Sequence, residues 1–157
     1  MIRTIVAGAI AGAAGEMAID VFTYGDMLAR ARPASEVPAK VAGRLAEGAG
    51  IELAQPGERP DKAENRKQAG GALLGYATAI GVATGYAVLR RLGLRLPMPV
   101  AGLAMGAAAM ALSDTAATAL RVTDPTTWGA EGWIADIVPH AAYGLAAAAT
   151  LELLDHR

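Results

Sequence analysis

Four long apolar stretches alternate with polar connections along the chain. They cover about residues 4–25, 69–89, 98–120 and 133–153, and each contains few charged side chains. Because a helix needs about 20 apolar residues to cross a bilayer, each stretch qualifies by length as a membrane span. We therefore predict an all-α protein, a four-helix transmembrane bundle formed by residues 1–157 as a single membrane domain.

The polar loop 29–68, between the first two spans, contains one amphipathic segment. Ser35 stands where a helix N-cap is expected, and an apolar residue recurs at every fourth position after it: Val37, Val41 and Leu45. This narrow stripe predicts a short helix that lies on the membrane surface. Residues 55–61 contain two prolines and a glycine, which are typical of a loop.

Small residues supply most of the apolar character. Apolar types make up 54 % of the chain, yet it has one Phe, two Trp and four Tyr beside 19 Gly. Aromatic side chains carry much of the buried area in soluble cores, so this composition favours membrane helices, where small residues let backbones approach closely. A soluble helical bundle is the alternative, because two carboxylates in the first span would make that helix insert poorly by itself.

Glycine pairs four residues apart occur in three of the predicted spans. They are Gly8/Gly12, Gly71/Gly75, Gly81/Gly85 and Gly102/Gly106. Residues four apart share one face of a helix, so each pair forms a flat strip against which a second helix can pack. The pairs predict close helix packing within the chain or between subunits. The expected partners are the lipid bilayer and either further copies of the chain or other membrane proteins.

Several function classes find no support in the sequence. The net charge of −1 provides no basic excess for a nucleic acid, and the absence of Cys excludes disulfide and thiolate chemistry. No Ser/His/Asp arrangement, HExxH helix or phosphate-binding Gly loop is present, so we identify no catalytic residue and expect no cofactor. Enzymatic activity is therefore not predicted.

Five ionisable residues away from the ends of the predicted spans lie at similar depths. With a rise of about 1.5 Å per residue, they all fall in the half of the bilayer nearest the polar loop: Glu16, Asp20, Asp114, Asp136 and His140. No Lys or Arg lies inside the spans to pair with these acids. Four carboxylates in a medium of low dielectric constant cannot all stay ionised and unpaired. Some are protonated, or the cluster opens onto water, or a cation sits among them.

This cluster predicts a proton- or cation-linked conduit. Plainer readings stay open: Asp136 lies near a helix start, where an acid is favourable, and His140 can be a neutral imidazole bonded to Asp136. Paired carboxylate and imidazole groups on two helices also resemble metal sites in helical bundles, although no ligand motif is present. The alternative function is a structural or assembly subunit of a membrane complex.

Several short motifs resemble those of an uncharacterised family of small multi-pass membrane proteins from high-GC Gram-positive bacteria. They are residues 123–128 (TDPTTW), 133–140 (WIADIVPH), 143–144 (YG), 23–27 (TYGDM), 32–35 (RPAS) and 64–66 (ENR). The resemblance would cover most of the chain, and the segment 133–144 is its most specific part. It implies a location in the bacterial plasma membrane and brings no activity or site residue with it.

Overall fold

The computed structural model describes residues 1–155 and is helical throughout. Its five α-helices are α1 (Ile2–Arg30), α2 (Val37–Gly48), α3 (Pro60–Arg91), α4 (Met98–Ala119) and α5 (Ala130–Asp155), and a short 3-10 turn, Pro125–Thr127, precedes α5. No strand occurs among the described residues. The all-α prediction is confirmed, and α1, α3, α4 and α5 are long and apolar enough to cross a membrane.

The long helices extend beyond the apolar stretches that predict them. The largest difference is at α3, which begins at Pro60 rather than at residue 69. Proline suits the first turn of a helix, since its fixed φ is already helical and its missing N–H has no partner there. The polar connection 29–68 is therefore non-helical only at residues 31–36 and 49–59.

The helices pack in a consecutive order that places α1 and α5 at the centre. Helix α1 lies between α3 and α5, and α4 packs on the other side of α5. The contact between α3 and α4 is much smaller. Helix α2 packs mainly on α3 and also touches α4. The acids of α1 and α5 therefore lie on the two central helices of this order.

Small side chains fill the interior, and large ones cover the outside. Ala11, Ala83 and Ala147 are completely buried, whereas Met17 is 61 % exposed and Leu73 is 70 % exposed. Soluble proteins bury most of their large aliphatic side chains and rarely leave broad apolar surfaces open. This outer surface is suited to hydrocarbon rather than to water.

Close backbone contacts at glycines hold the long helices together. A Cβ atom at Gly12 would lie 2.5 Å from Ile80 Cα, and one at Gly106 would lie 2.5 Å from the His140 carbonyl oxygen. Gly8 meets Thr84 in the same way, and Gly102 meets Leu145. The pairs on α1 and α4 therefore form packing strips against α3 and α5, as such spacing favours in membrane helices.

The two glycine pairs on α3 behave differently. Gly71 packs on the backbone of Pro38 in α2, and Gly75 faces the side chain of Glu16 rather than a helix backbone. Neither Gly81 nor Gly85 has an atom within 4 Å of a Cβ built on it. Packing within the chain does not account for this last pair, because it lies on the outer face of α3. A role between subunits stays a prediction.

Helix α2 contacts the bundle through a face other than the predicted stripe. Its buried residues are Ala39, Ala42 and Gly43, while Leu45 is 44 % exposed. Only small residues fit there, because α2 approaches α3 at Gly71. In the predicted stripe, Val37 and Val41 are half-buried and Leu45 is exposed. The N-cap is also one position later than expected, at Glu36.

Candidate functional site

Glu16 is the buried acid of α1. It is 8 % exposed and points at Gly75 of α3, where a Cβ atom would lie 2.7 Å from its Oε1. The missing side chain at Gly75 therefore makes room for the carboxylate. Asp20 lies one turn further along α1 and is half-buried. The Glu16 carboxylate is close enough to Asp20 and to His140 of α5 for their charges to interact.

Asp136 and His140 of α5 meet Asp114 of α4 beside this position. The His140 Nδ1 atom lies 3.3 Å from Asp136 Oδ1, and the carboxyl groups of Asp114 and Asp136 are neighbours within hydrogen-bonding range. Asp136 Oδ2 is buried without a hydrogen-bond partner. Two carboxylates at such close range repel each other unless a proton or a cation lies between them.

A contact with the backbone one turn earlier on α5 orients the imidazole of His140. The His140 Nδ1 atom lies 2.8 Å from the Asp136 carbonyl oxygen, which can only accept. We therefore assign the proton to Nδ1, which leaves Nε2 free to gain or lose one.

The structure brings the five predicted residues into one region of the bundle, though not into one cage. Glu16 and Asp20 form a pair on α1, Asp114 and Asp136 form a second pair, and His140 interacts with Glu16, Asp114 and Asp136. Among residues 1–155, no three carboxylate or imidazole groups converge closely enough to hold a metal ion.

Tyr143 belongs to this region, and its part in it was not predicted. It is completely buried, its hydroxyl donates to the Ala79 carbonyl oxygen at 2.7 Å, and its ring packs on Gly15. Its phenol is also an electrostatic neighbour of Glu16. Tyr143 thus separates the acidic residues from the alanine-rich core beyond. The sequence signal that could have placed Tyr143 in the site is its position one turn after His140 on the same helix.

Acids outside the apolar segments are held by arginines, unlike those inside. Asp26 accepts from Arg30 at 2.6 Å and from Arg32 at 2.5 Å, and the hydrogen bonds from these guanidinium groups lower the pKa of its carboxyl group to about 2. Glu58 accepts from Arg66 at 2.6 Å, which also lowers its pKa. In the described part of the chain, no Lys or Arg forms an ion pair with any of the four acids of the candidate site.

Comparisons with models of protein families, with curated proteins and with solved structures found no match to this chain. The geometry of the site itself therefore carries the functional argument.

Proposed function

We propose that the chain is a multi-pass protein of the bacterial plasma membrane that conducts protons or a small cation through an acidic layer. The layer consists of Glu16, Asp20, Asp114, Asp136 and His140. The observation that carries the proposal is that these groups, from three helices, lie together without a Lys or Arg partner among the described residues. Such acids are costly in a membrane, and where they occur they usually mark ion pathways or proton relays.

The outer surface of the bundle supports the membrane location. Four helices have the length and hydropathy of spans, and their large aliphatic side chains face outward. Helix α2 fits a position at the membrane surface, because Leu45 of its aliphatic stripe is exposed and the same helix carries the exposed cationic residues Lys40 and Arg44. In this arrangement the acidic layer lies in the half of the membrane nearest α2.

Tyr143 stands where a conduction path through the bundle would be closed. Its buried ring closes the bundle on the far side of Glu16, and the core beyond consists of fully buried residues such as Ala83 and Ala147. A proton that reaches the layer from the α2 side therefore needs a movement of Tyr143, or a path between subunits, to continue. Since four alanine-rich helices enclose little volume, we favour a homo-oligomer.

Flux measurements in proteoliposomes test this function. We expect the wild-type protein to dissipate an imposed pH gradient or a cation gradient, and Glu16→Gln and Asp114→Asn to reduce the rate about tenfold or more. Glu52→Gln is the matched control, because Glu52 is an exposed acid of the loop after α2. Wild-type protein that carries neither protons nor monovalent cations would contradict the proposal.

A structural or assembly subunit is the second candidate, favoured by the open face of α3. Gly81 and Gly85 lie on this face with free space around them, while the pairs on α1 and α4 are used within the bundle. Gly85→Leu should then release a stoichiometric membrane partner after mild detergent extraction. Retention of every partner by this variant would count against the second candidate.

A further inference from the structure

An open groove on the outer surface runs along α4 to Trp133 of α5 and reaches one of the acids. Its volume is about 620 Å³, within the range of roughly 300–1,000 Å³ that is common for ligand pockets. Its lining residues include Ala107, Met110, Ala111, Asp114, Thr118 and Trp133. The walls are mostly apolar, and Asp114 is the charged residue that lines them.

The groove is a site of negative charge in apolar surroundings. Asp114 lines the groove, its neighbour Asp136 does not, and no Lys or Arg is among the groove's lining residues. A cation is favoured next to such carboxylates because little water screens the attraction. A small hydrated ion would not use the apolar walls, whereas a molecule with a hydrophobic body would cover them.

The aromatic end of the groove adds a second feature that favours cations. Trp133 lines the groove, and its ring centroid lies 5.1 Å from that of Trp128. The face of an indole ring attracts a positive charge within about 6 Å. The Trp128 Nε1–H donates to Thr123 Oγ1 at 3.0 Å, which holds this neighbouring ring in place.

We propose that the α4–α5 groove binds a hydrophobic organic cation, with Asp114 as the counter-charge and Trp133 as one wall. This ligand would enter from the lipid side, because the groove is on the outer surface. The inference rests on the proposed function in one respect, since it uses Asp114 of the same acidic layer and names an organic cation as its substrate class.

Binding of tetraphenylphosphonium to the purified protein in detergent micelles tests the inference. The chain has two tryptophans, Trp128 and Trp133, so saturable quenching of their fluorescence reports on this end of the groove. A Trp128→Phe variant leaves Trp133 as the single reporter. Tetraphenylborate has nearly the same shape and the opposite charge, so it should neither bind saturably nor displace the cation.

Two variants separate the charge of the groove from its shape. We expect Asp114→Asn to weaken binding of tetraphenylphosphonium about tenfold or more, since it removes the counter-charge. Ala111→Leu should weaken it while the carboxylate stays, because Ala111 is exposed in the groove and a larger side chain fills it. Glu131→Gln, an exposed acid that does not line the groove, should bind like the wild type.

The outcomes also distinguish this inference from the proposed function. Wild-type affinity in Asp114→Asn, or equal binding of tetraphenylborate, would overturn the groove as a site for cations. Proton or cation flux with no binding of tetraphenylphosphonium would overturn this inference alone. Charge-selective binding that Asp114→Asn abolishes, with no flux in proteoliposomes, would support the groove and contradict the conduit.

Discussion

The contact between α4 and α5 at Gly144 offers a quantitative test of the packing. A Cβ atom at Gly144 would collide with the carbonyl oxygen of Gly102 and lie 2.6 Å from the Gly106 nitrogen. Both are backbone atoms, so neither can rotate away. Because carbon atoms in contact prefer a separation of about 3.5–4.0 Å, Gly144→Ala would push the helices apart by roughly 1 Å.

Gly85→Ala provides the matched control for this substitution. A Cβ atom at Gly85 meets nothing within 4 Å, so its effect reports helix propensity alone, up to about 1 kcal/mol in favour of Ala. Overpacking costs about 1–3 kcal/mol, and we expect Gly144→Ala to be less stable than Gly85→Ala by that amount.

Equilibrium unfolding in mixed detergent micelles, followed by far-ultraviolet circular dichroism, measures the difference in free energy of unfolding. Each variant gains one methyl group, so the gain in helix propensity cancels when the two variants are compared. Equal stability of Gly144→Ala and Gly85→Ala would show that α4 and α5 do not approach as closely as the structure has them.

Three further substitutions test other contacts. Tyr143→Phe should lower the free energy of unfolding by about 1 kcal/mol, because it removes one buried hydrogen bond at nearly constant volume. Tyr24→Phe, at an exposed position, should leave the free energy of unfolding unchanged. Equal free energies of unfolding for the two variants would contradict the hydrogen bond of Tyr143. Arg66→Ala should speed hydrogen exchange in the loop after α2, since Arg66 donates to a loop carbonyl at 2.8 Å and to a loop carboxylate, and Arg59→Ala should leave that loop protected. Asp26 has a folded-state pKa of about 2 against an ordinary value of 3.8, so its stabilisation is present above pH 3.8 and is lost as the pH falls towards 2. Asp26→Asn should therefore flatten the dependence of Tm on pH in that window, and an unchanged slope would refute the ion pair.

The sequence predicts the helices well because their signal is local. A run of about 20 apolar residues reports a span whatever its neighbours are, so the spans lie within the four long helices. The ends of the helices are less predictable where the sequence is polar. The first turns of α3 carry many charges and were assigned to a loop, although Pro60 marks the first turn of that helix.

The partners of individual residues depend on tertiary structure and were beyond the sequence. The pairs Gly71/Gly75 and Gly81/Gly85 have the same spacing on α3, yet Gly71 faces the backbone of α2, Gly75 faces a carboxylate, and the second pair faces open space. The stripe at Val41 and Leu45 predicted an amphipathic helix, but small residues on another face make its contact with α3. Spacing identifies a face without identifying what covers it.

The candidate site was predictable in depth and not in detail. The rise per residue was enough to place its acids at one level, since helices convert sequence position into height. The rotation of each helix decides which acids meet. Asp114 thus pairs with Asp136, and Glu16 lies beside Tyr143, for reasons of packing that no spacing reveals.

The central claim is that lipid surrounds the bundle while Glu16 and Asp20 of α1 face its interior, and thiol labelling of two neighbouring positions tests it most directly. The chain has no Cys, so Met17→Cys and Asp20→Cys each introduce a single reactive group. In sealed vesicles, a charged impermeant maleimide should label Asp20→Cys from one side of the membrane. It should leave Met17→Cys unlabelled, because Met17 is 61 % exposed on the outer face that lipid would cover. Ready labelling of Met17→Cys would show that water surrounds the helices and would contradict the account.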